Sequence, residues 1–220
     1  MAAELFMAIK GGDKAAVERL LDRDRTLVDA RDTSGTSPVL SALYQGQDEI
    51  ATAILRRRPT LTLFEAAAAG DAKRVREIVA RDPKQASAIA PDGYSALGLA
   101  AFFKRREVVR YLLEAGADPQ PASRQGGFTP LHSAVATDAG DRDIEIVRML
   151  LEKSANPNAK SQSGSTPLHT VAFTGDREGL DLLLKHGADP KIANRDGKTA
   201  AAIARERGHQ EIAEVLARML

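Results

Sequence analysis

Gly127-Phe-Thr-Pro-Leu-His (127–132) and Gly164-Ser-Thr-Pro-Leu-His (164–169) are two copies of one short string. Thr129 and Thr166 each stand before a proline, the pattern of a helix N-cap followed by a residue suited to the first helical position. Working outward, Gly93-Tyr-Ser-Ala-Leu precedes the first copy and Gly197-Lys-Thr-Ala-Ala follows the second, at nearly the interval that separates the two copies. Gly35-Thr-Ser-Pro-Val matches the same string further upstream, after a wider gap. A second landmark falls late in the period: Ala115-Gly-Ala-Asp-Pro and His186-Gly-Ala-Asp-Pro, with a degraded copy, Ser154-Ala-Asn-Pro, between them. Self-similarity at a period of this size marks a stack of supersecondary units.

Each landmark has a mechanical reading. About nine residues after the cap, a glycine such as Gly46, Gly175 or Gly208 ends a short helix. A second run with apolar residues at helical spacing follows: Val108, Val109, Leu112 and Leu113 in one copy, Leu180, Leu182, Leu183 and Leu184 in another. Gly116 and Gly187 then close that helix in the left-handed conformation. Two short helices leave their apolar faces open, and stacked copies bury them. The combined pattern, Gly-x-Thr-Pro-Leu-His, then Gly, then Leu-Leu, then Gly-Ala-Asp, resembles the ankyrin repeat over the whole chain. The resemblance implies an all-α solenoid of about seven helix–turn–helix units, with short β-hairpin fingers and a concave face that binds other proteins. The units are expected to start near residues 2, 32, 62, 90, 124, 161 and 194, in one solenoid spanning 1–220.

Three departures interrupt the period. The interval from Gly46 to Gly70 falls well short of it, so the third unit is expected to lack its finger, with residues 59–63 in its place. Residues 137–143 insert extra chain between the helices of the fifth unit, and Lys104 stands where a glycine is usual. A longer self-similarity is also present. Leu5, Phe6, Ala8, Gly12, Asp13, Val17, Arg23, Asp24 and Gly35 match Leu63, Phe64, Ala66, Gly70, Asp71, Val75, Arg81, Asp82 and Gly93 at a single offset, which reads as a duplicated two-unit block. The third unit then repeats a sequence shaped as a chain start, and curvature or twist is expected to change near residues 58–64.

Composition narrows the function classes. A chain with 43% hydrophobic and 28% charged residues is neither disordered nor collagen-like. Only 4% of residues are aromatic, so the core must come from Ala, Leu, Ile and Val, which suits close-packed helices better than a β-sandwich. Against 30 acidic residues stand 31 basic ones, without the cationic excess that a nucleic-acid groove needs to displace counterions. The lack of cysteine excludes disulfides, thiolate zinc sites and a cysteine nucleophile. No apolar run approaches the roughly 18 residues of a membrane span, and residues 1–10 lack a basic leader region. A monomeric cytoplasmic protein without cofactor, metal, membrane or nucleic-acid partner is the expectation.

The residues suited to carry chemistry are largely absorbed by the repeat. His132 and His169 sit where the resemblance implies a structural hydrogen bond between turn and helix, and His186 and His209 occupy common repeat positions. Gly197-Lys-Thr looks like the end of a phosphate-binding loop, but Ile192 stands where that loop needs its first glycine. Asp138, Asp141 and Asp143 could collect a hard cation, although their spacing is not that of a calcium loop. Arg56-Arg57-Arg58 suits the negative end of a helix. Lys104-Arg105-Arg106 lies at a helix start, which gives it the stronger claim to an acidic contact, with a solvated face as the plainer reading.

Aligning the units by their glycines places Tyr94 and Phe128 at finger tips, and Tyr44, Phe102, Phe103 and Phe173 near the ends of first helices. The resemblance implies that these positions contact a partner, with polar finger residues Gln125, Gln162 and Arg195 adding specificity. Aromatic anchors give large contact area at low entropy cost. The expected function is non-catalytic recognition of another protein in the concave groove, as scaffold or adaptor. A regulatory or inhibitory subunit of an enzyme complex is the alternative.

Overall fold

The computed structural model describes residues 1–58, 60–90, 93–136 and 143–219. Its helices come in consecutive pairs: α1 (Ala2–Lys10) with α2 (Lys14–Arg23), α3 (Pro38–Tyr44) with α4 (Asp48–Arg57), and α5 (Leu63–Ala69) with α6 (Ala72–Arg81). There follow α7 (Ala96–Phe102) with α8 (Arg106–Glu114), α9 (Pro130–Val135) with α10 (Ile144–Glu152), α11 (Pro167–Thr174) with α12 (Arg177–Lys185), and α13 (Ala200–Glu206) with α14 (Gln210–Ala217). First helices pack on first helices throughout, and second helices on second for α2 with α4 and along α6, α8, α10 and α12, which makes an all-α stack. No helix among the described residues is long and apolar enough to cross a membrane.

Local chemistry sets the helix starts. Ser37, Ser95, Thr129 and Thr199 accept a backbone N–H from the third residue of α3, α7, α9 and α13. Asp13, Asp71, Asp143 and Asp176 cap α2, α6, α10 and α12 through a carboxylate oxygen. Each such cap is worth about 1 kcal/mol against alanine.

The fingers are brief. They are tight turns, and antiparallel pairing reaches one bridge each at Ile89 with Ser95 and Ala193 with Thr199. Successive fingers are stitched by backbone bonds: Gln162 N–H donates to the Gly126 carbonyl at 2.8 Å, and Arg195 N–H to that of Ser163 at 2.9 Å. The approach demands glycine. Gly164 has φ +76°, and a Cβ on it would stand 2.9 Å from the Arg195 nitrogen.

The duplicated block is a structural duplicate. Short 3₁₀ helices follow α2 and α6 at Arg25–Asp29 and Pro83–Ser87, at the offset seen in the sequence, each started by an aspartate that accepts a backbone N–H two positions on. Where Gly-Ala-Asp or its relative ends the second helix, the closing residues Gly116, Ser154 and Gly187 have positive φ instead.

The apolar core falls into two clusters. One holds Leu5 to Ile54 together with Ala68 and Leu99; the other runs from Leu63 to Leu216. They meet at α5, beside the connection that leads from Arg58 to Thr62. There the Arg58 guanidinium is buried and pairs with the buried Glu65 carboxylate and with Asp29 at 2.9 Å. It also donates to the Val28 and Thr60 carbonyls, while Glu65 caps Thr62 through a bond of 3.0 Å to its N–H. Arg58 is thus a clasp across the seam, not merely a cation at the end of a helix. Arg57, by contrast, forms an exposed pair with Asp22 at 2.8 Å.

Candidate protein-binding groove

Four of the sequence-selected aromatics line one groove. Tyr94, Phe102, Phe128 and Phe173 surround a hollow of about 330 Å³, together with His132, Ser133, Ala136, Thr170 and Thr174. The elements responsible are α7, α9 and α11 and the turns before α7 and α9. Phe128 and Phe173 are 43% and 49% exposed, the two aromatic residues most open to solvent.

Tyr44 and Phe103 take a different place. They stand behind the groove and pack on the core that runs from Leu5 to Ile54. Tyr44 lies 6.1 Å from Phe102 and 5.4 Å from Phe103, and Phe102 meets Phe103 edge-on at 5.0 Å. Tyr44 belongs to α3 and the phenylalanines to the end of α7, so these rings meet across the intervening α5. The run Ala66 to Ala69 makes that reach possible, because methyl side chains leave room above the helix. Such tilted ring contacts add about 0.5–1.5 kcal/mol each beyond area burial. They fix Phe102 as a wall of the groove. Their meeting across α5 is not visible in a repeat alignment, which compares like positions and not neighbours two units apart.

The remaining walls are held as firmly. Phe128 packs edge-on to His132 with centroids 6.0 Å apart. His132 Nδ1 accepts the Thr129 N–H at 3.2 Å, so Nε2 carries the proton and donates to the Ser165 carbonyl of the next unit at 3.1 Å. His169 repeats the arrangement with Thr166 at 3.1 Å and Lys198 at 3.0 Å. Burial pushes both imidazoles below their ordinary pKa of 6.5, although the carbonyl bonds oppose the shift. Both are therefore neutral at pH 7, and the floor at His132 carries no charge. The structural role expected of these two histidines is what their geometry shows. Phe173 is fixed from the far side, where His209 Nε2 donates to its carbonyl at 3.1 Å and the Arg207 guanidinium lies 4.0 Å over its ring.

Among the polar finger residues, Gln125 and Arg195 are exposed. Gln162 is engaged with the preceding finger: its amide donates to the Arg124 carbonyl at 3.0 Å and accepts from Gly126 N–H at 3.3 Å. A larger hollow of about 390 Å³ lies by α1 and α2, but Glu4, Arg19 and Arg23 line it with charge and no ring contributes.

The basic run 104–106 is taken up internally. Arg106 forms a two-pronged pair with Asp143 at 2.8 and 2.9 Å, and Arg105 donates to the Ala68 carbonyl at 2.8 Å. Sequence spacing does not reveal these contacts, because the partners belong to neighbouring units. The same pair accounts for Asp143, which also caps α10. Asp138 and Asp141 of the suggested cation loop lie outside the described residues, and no metal-binding cluster occurs among the residues described.

Comparison with known proteins agrees with this geometry. The family model described as ankyrin repeats (3 copies) matches residues 63–161 and 139–219. The chain is 49% identical over 49 residues to Notch-regulated ankyrin repeat-containing protein B of Danio rerio, covering 22% of this chain and 44% of that one. It is 44% identical over 55 residues to ARF GTPase-activating protein GIT2 of Mus musculus, covering 25% of this chain and 8% of that one. A match of 42% over 53 residues to the Espin-like protein of Homo sapiens covers 24% and 5%. The chain thus spans less than half the length of each of these relatives. Repeats of this type are protein–protein interaction modules. From capped helix pairs, glycine-stitched fingers and a match across most of its length, the chain belongs to the ankyrin-repeat family.

Proposed function

We propose that this chain is a non-catalytic recognition module that holds a partner protein in its concave groove, acting as scaffold or adaptor. The convergence of Tyr94, Phe102, Phe128 and Phe173 on one hollow supports this reading most directly. A chain poor in aromatics sets four of its nine on one groove, two of them exposed, in keeping with the composition of binding hot spots. Rigidity supports it too. Rings clamped by His209, Arg207 and Tyr44 lose little freedom when a partner docks. Gln125 and Arg195 belong to the contact surface in this reading, and Gln162 stiffens the fingers that present them. The proposal takes 1–220 as one monomeric, cytoplasmic solenoid of seven units, the third without a finger and clasped by Arg58 instead.

Phe128→Ala/Phe173→Ala tests it, because these rings are exposed and their removal leaves the core intact. Partners co-purified with wild type should be lost with the double variant, while far-UV circular dichroism stays unchanged. Undiminished capture by the folded variant would refute the assignment.

A further inference from the structure

Several exposed charges on the second helices are paired between units. At the heads of the second helices, basic groups reach carboxylates of the neighbouring unit: Lys14 with Glu49 at 2.9 Å, Arg76 with Glu107 at 2.7 Å, Arg106 with Asp143, and Arg177 with Glu211. On the fingers and beside Phe173, three arginines carry no such pair among the described residues. Arg124 and Arg195 are exposed, with no carboxylate within pairing distance among the described residues. Arg207 is likewise exposed and without a carboxylate among those residues, and it is the cation stacked at 4.0 Å over Phe173.

The placement of the three is fixed by contacts already described. Gln162 joins the Arg124 carbonyl to its own finger, and the Arg195 N–H bonds to Ser163 on that same finger, so Arg124 and Arg195 flank it on either side. Arg207 lies at the Phe173 end of the groove. A guanidinium held over a ring without a carboxylate partner retains N–H donors that can make a forked bond to a carboxylate. Within the turns 123–128, 161–165 and 193–199, Asp196 is the single acidic residue; Lys160 adds a further exposed cation, and Lys198 is already paired with Glu206 at 2.7 Å.

We infer that the groove takes an acidic peptide segment: an aromatic or aliphatic side chain enters the hollow among Phe102, Phe128 and Phe173, and flanking carboxylates pair with Arg124, Arg195 and Arg207. This rests on the groove reading above and adds the chemistry of the occupant. Charge complementarity carries it: Arg207 over Phe173, and Arg124 and Arg195 on the fingers that border the groove, have no paired carboxylate among the described residues, and beside an uncharged aromatic hollow they make neutral or basic segments poorer fits. A single-stranded nucleic acid also combines rings with anions. It is disfavoured because the chain as a whole has a net charge of only +1.

The test is selection of phage-displayed random dodecapeptides on the full chain, followed by fluorescence anisotropy of the enriched peptides. Enriched sequences should carry Asp or Glu on both sides of an apolar anchor. Binding should weaken roughly tenfold or more for Arg124→Gln/Arg195→Gln/Arg207→Gln, consistent with loss of charged hydrogen bonds, and should fall steeply with salt. Enrichment of neutral or basic peptides that need Phe173 would overturn the acidic partner and leave the groove reading standing. Peptides indifferent to Phe128→Ala/Phe173→Ala, or no enrichment at all, would overturn both. Labelled oligouridylate bound more tightly than any selected peptide would overturn the peptide assignment.

Discussion

Single residues depart from the repeat in ways that can be measured. Ser154 closes α10 at φ +63°, where Gly116 and Gly187 close α8 and α12. A Cβ in that conformation costs roughly 1 kcal/mol. Ser154→Gly is therefore expected to stabilise the chain by about 0.5–1 kcal/mol, after allowing for glycine's extra unfolded entropy. A higher urea midpoint at constant slope would show it, whereas a lower midpoint would contradict the strain. His132 and His169 give a second residue-scale expectation. Burial holds both below the ordinary 6.5, so the unfolded chain binds protons that the folded chain refuses. Their contribution is complete above that ordinary value and is lost as pH falls through it toward the depressed folded values. Urea midpoints should drop between about pH 7.5 and about pH 5.5, and drop less in His132→Gln/His169→Gln, since glutamine can still complete the capping box. Equal pH dependence in wild type and double variant would assign the loss to other groups.

At the scale of elements, the seam at α5 is the feature that departs most from a uniform stack. Arg58 and Glu65 are 7% and 1% exposed, and Glu65 would be left as an uncompensated buried charge without Arg58, whereas Arg58 would keep Asp29. Arg58→Met should cost about 3–5 kcal/mol, and adding Glu65→Leu should restore much of it. A single variant losing less than about 1 kcal/mol in equilibrium unfolding would show that the clasp is dispensable. This seam also marks the limit of what the sequence discloses. Caps, turns and left-handed glycines were legible because each is chemistry between residues a few positions apart, as Thr129 with His132 is. The shortened interval between Gly46 and Gly70 was legible as a fault in the period. What closes the fault was not, because Arg58 reads only as a charge until its surroundings are known. Arg106 illustrates the same limit: its carboxylate comes from the next unit, and spacing gives no neighbour.

Over the whole molecule, stacking converts a local motif into a continuous face. Glycine register was enough to select all four groove aromatics, since equivalent positions in equivalent units must line the same side. It could not separate Phe102, which forms a wall of the hollow, from Phe103, which packs on the core, because the two are adjacent at the same helix end. The groove side presents the two exposed aromatic rings and an apolar hollow, whereas the hollows beside the second helices are lined largely by charged side chains. That difference supports the proposal that recognition takes place on the concave face. The most direct test places a photo-crosslinking benzoylphenylalanine at Phe128, at Phe173, and at Met149 on α10 of the opposite side, in the full chain in cells that express it. The account predicts the same covalent partner from positions 128 and 173 and none from position 149. An adduct formed from Met149 alone would place recognition on the outer helices and contradict the assignment of the groove.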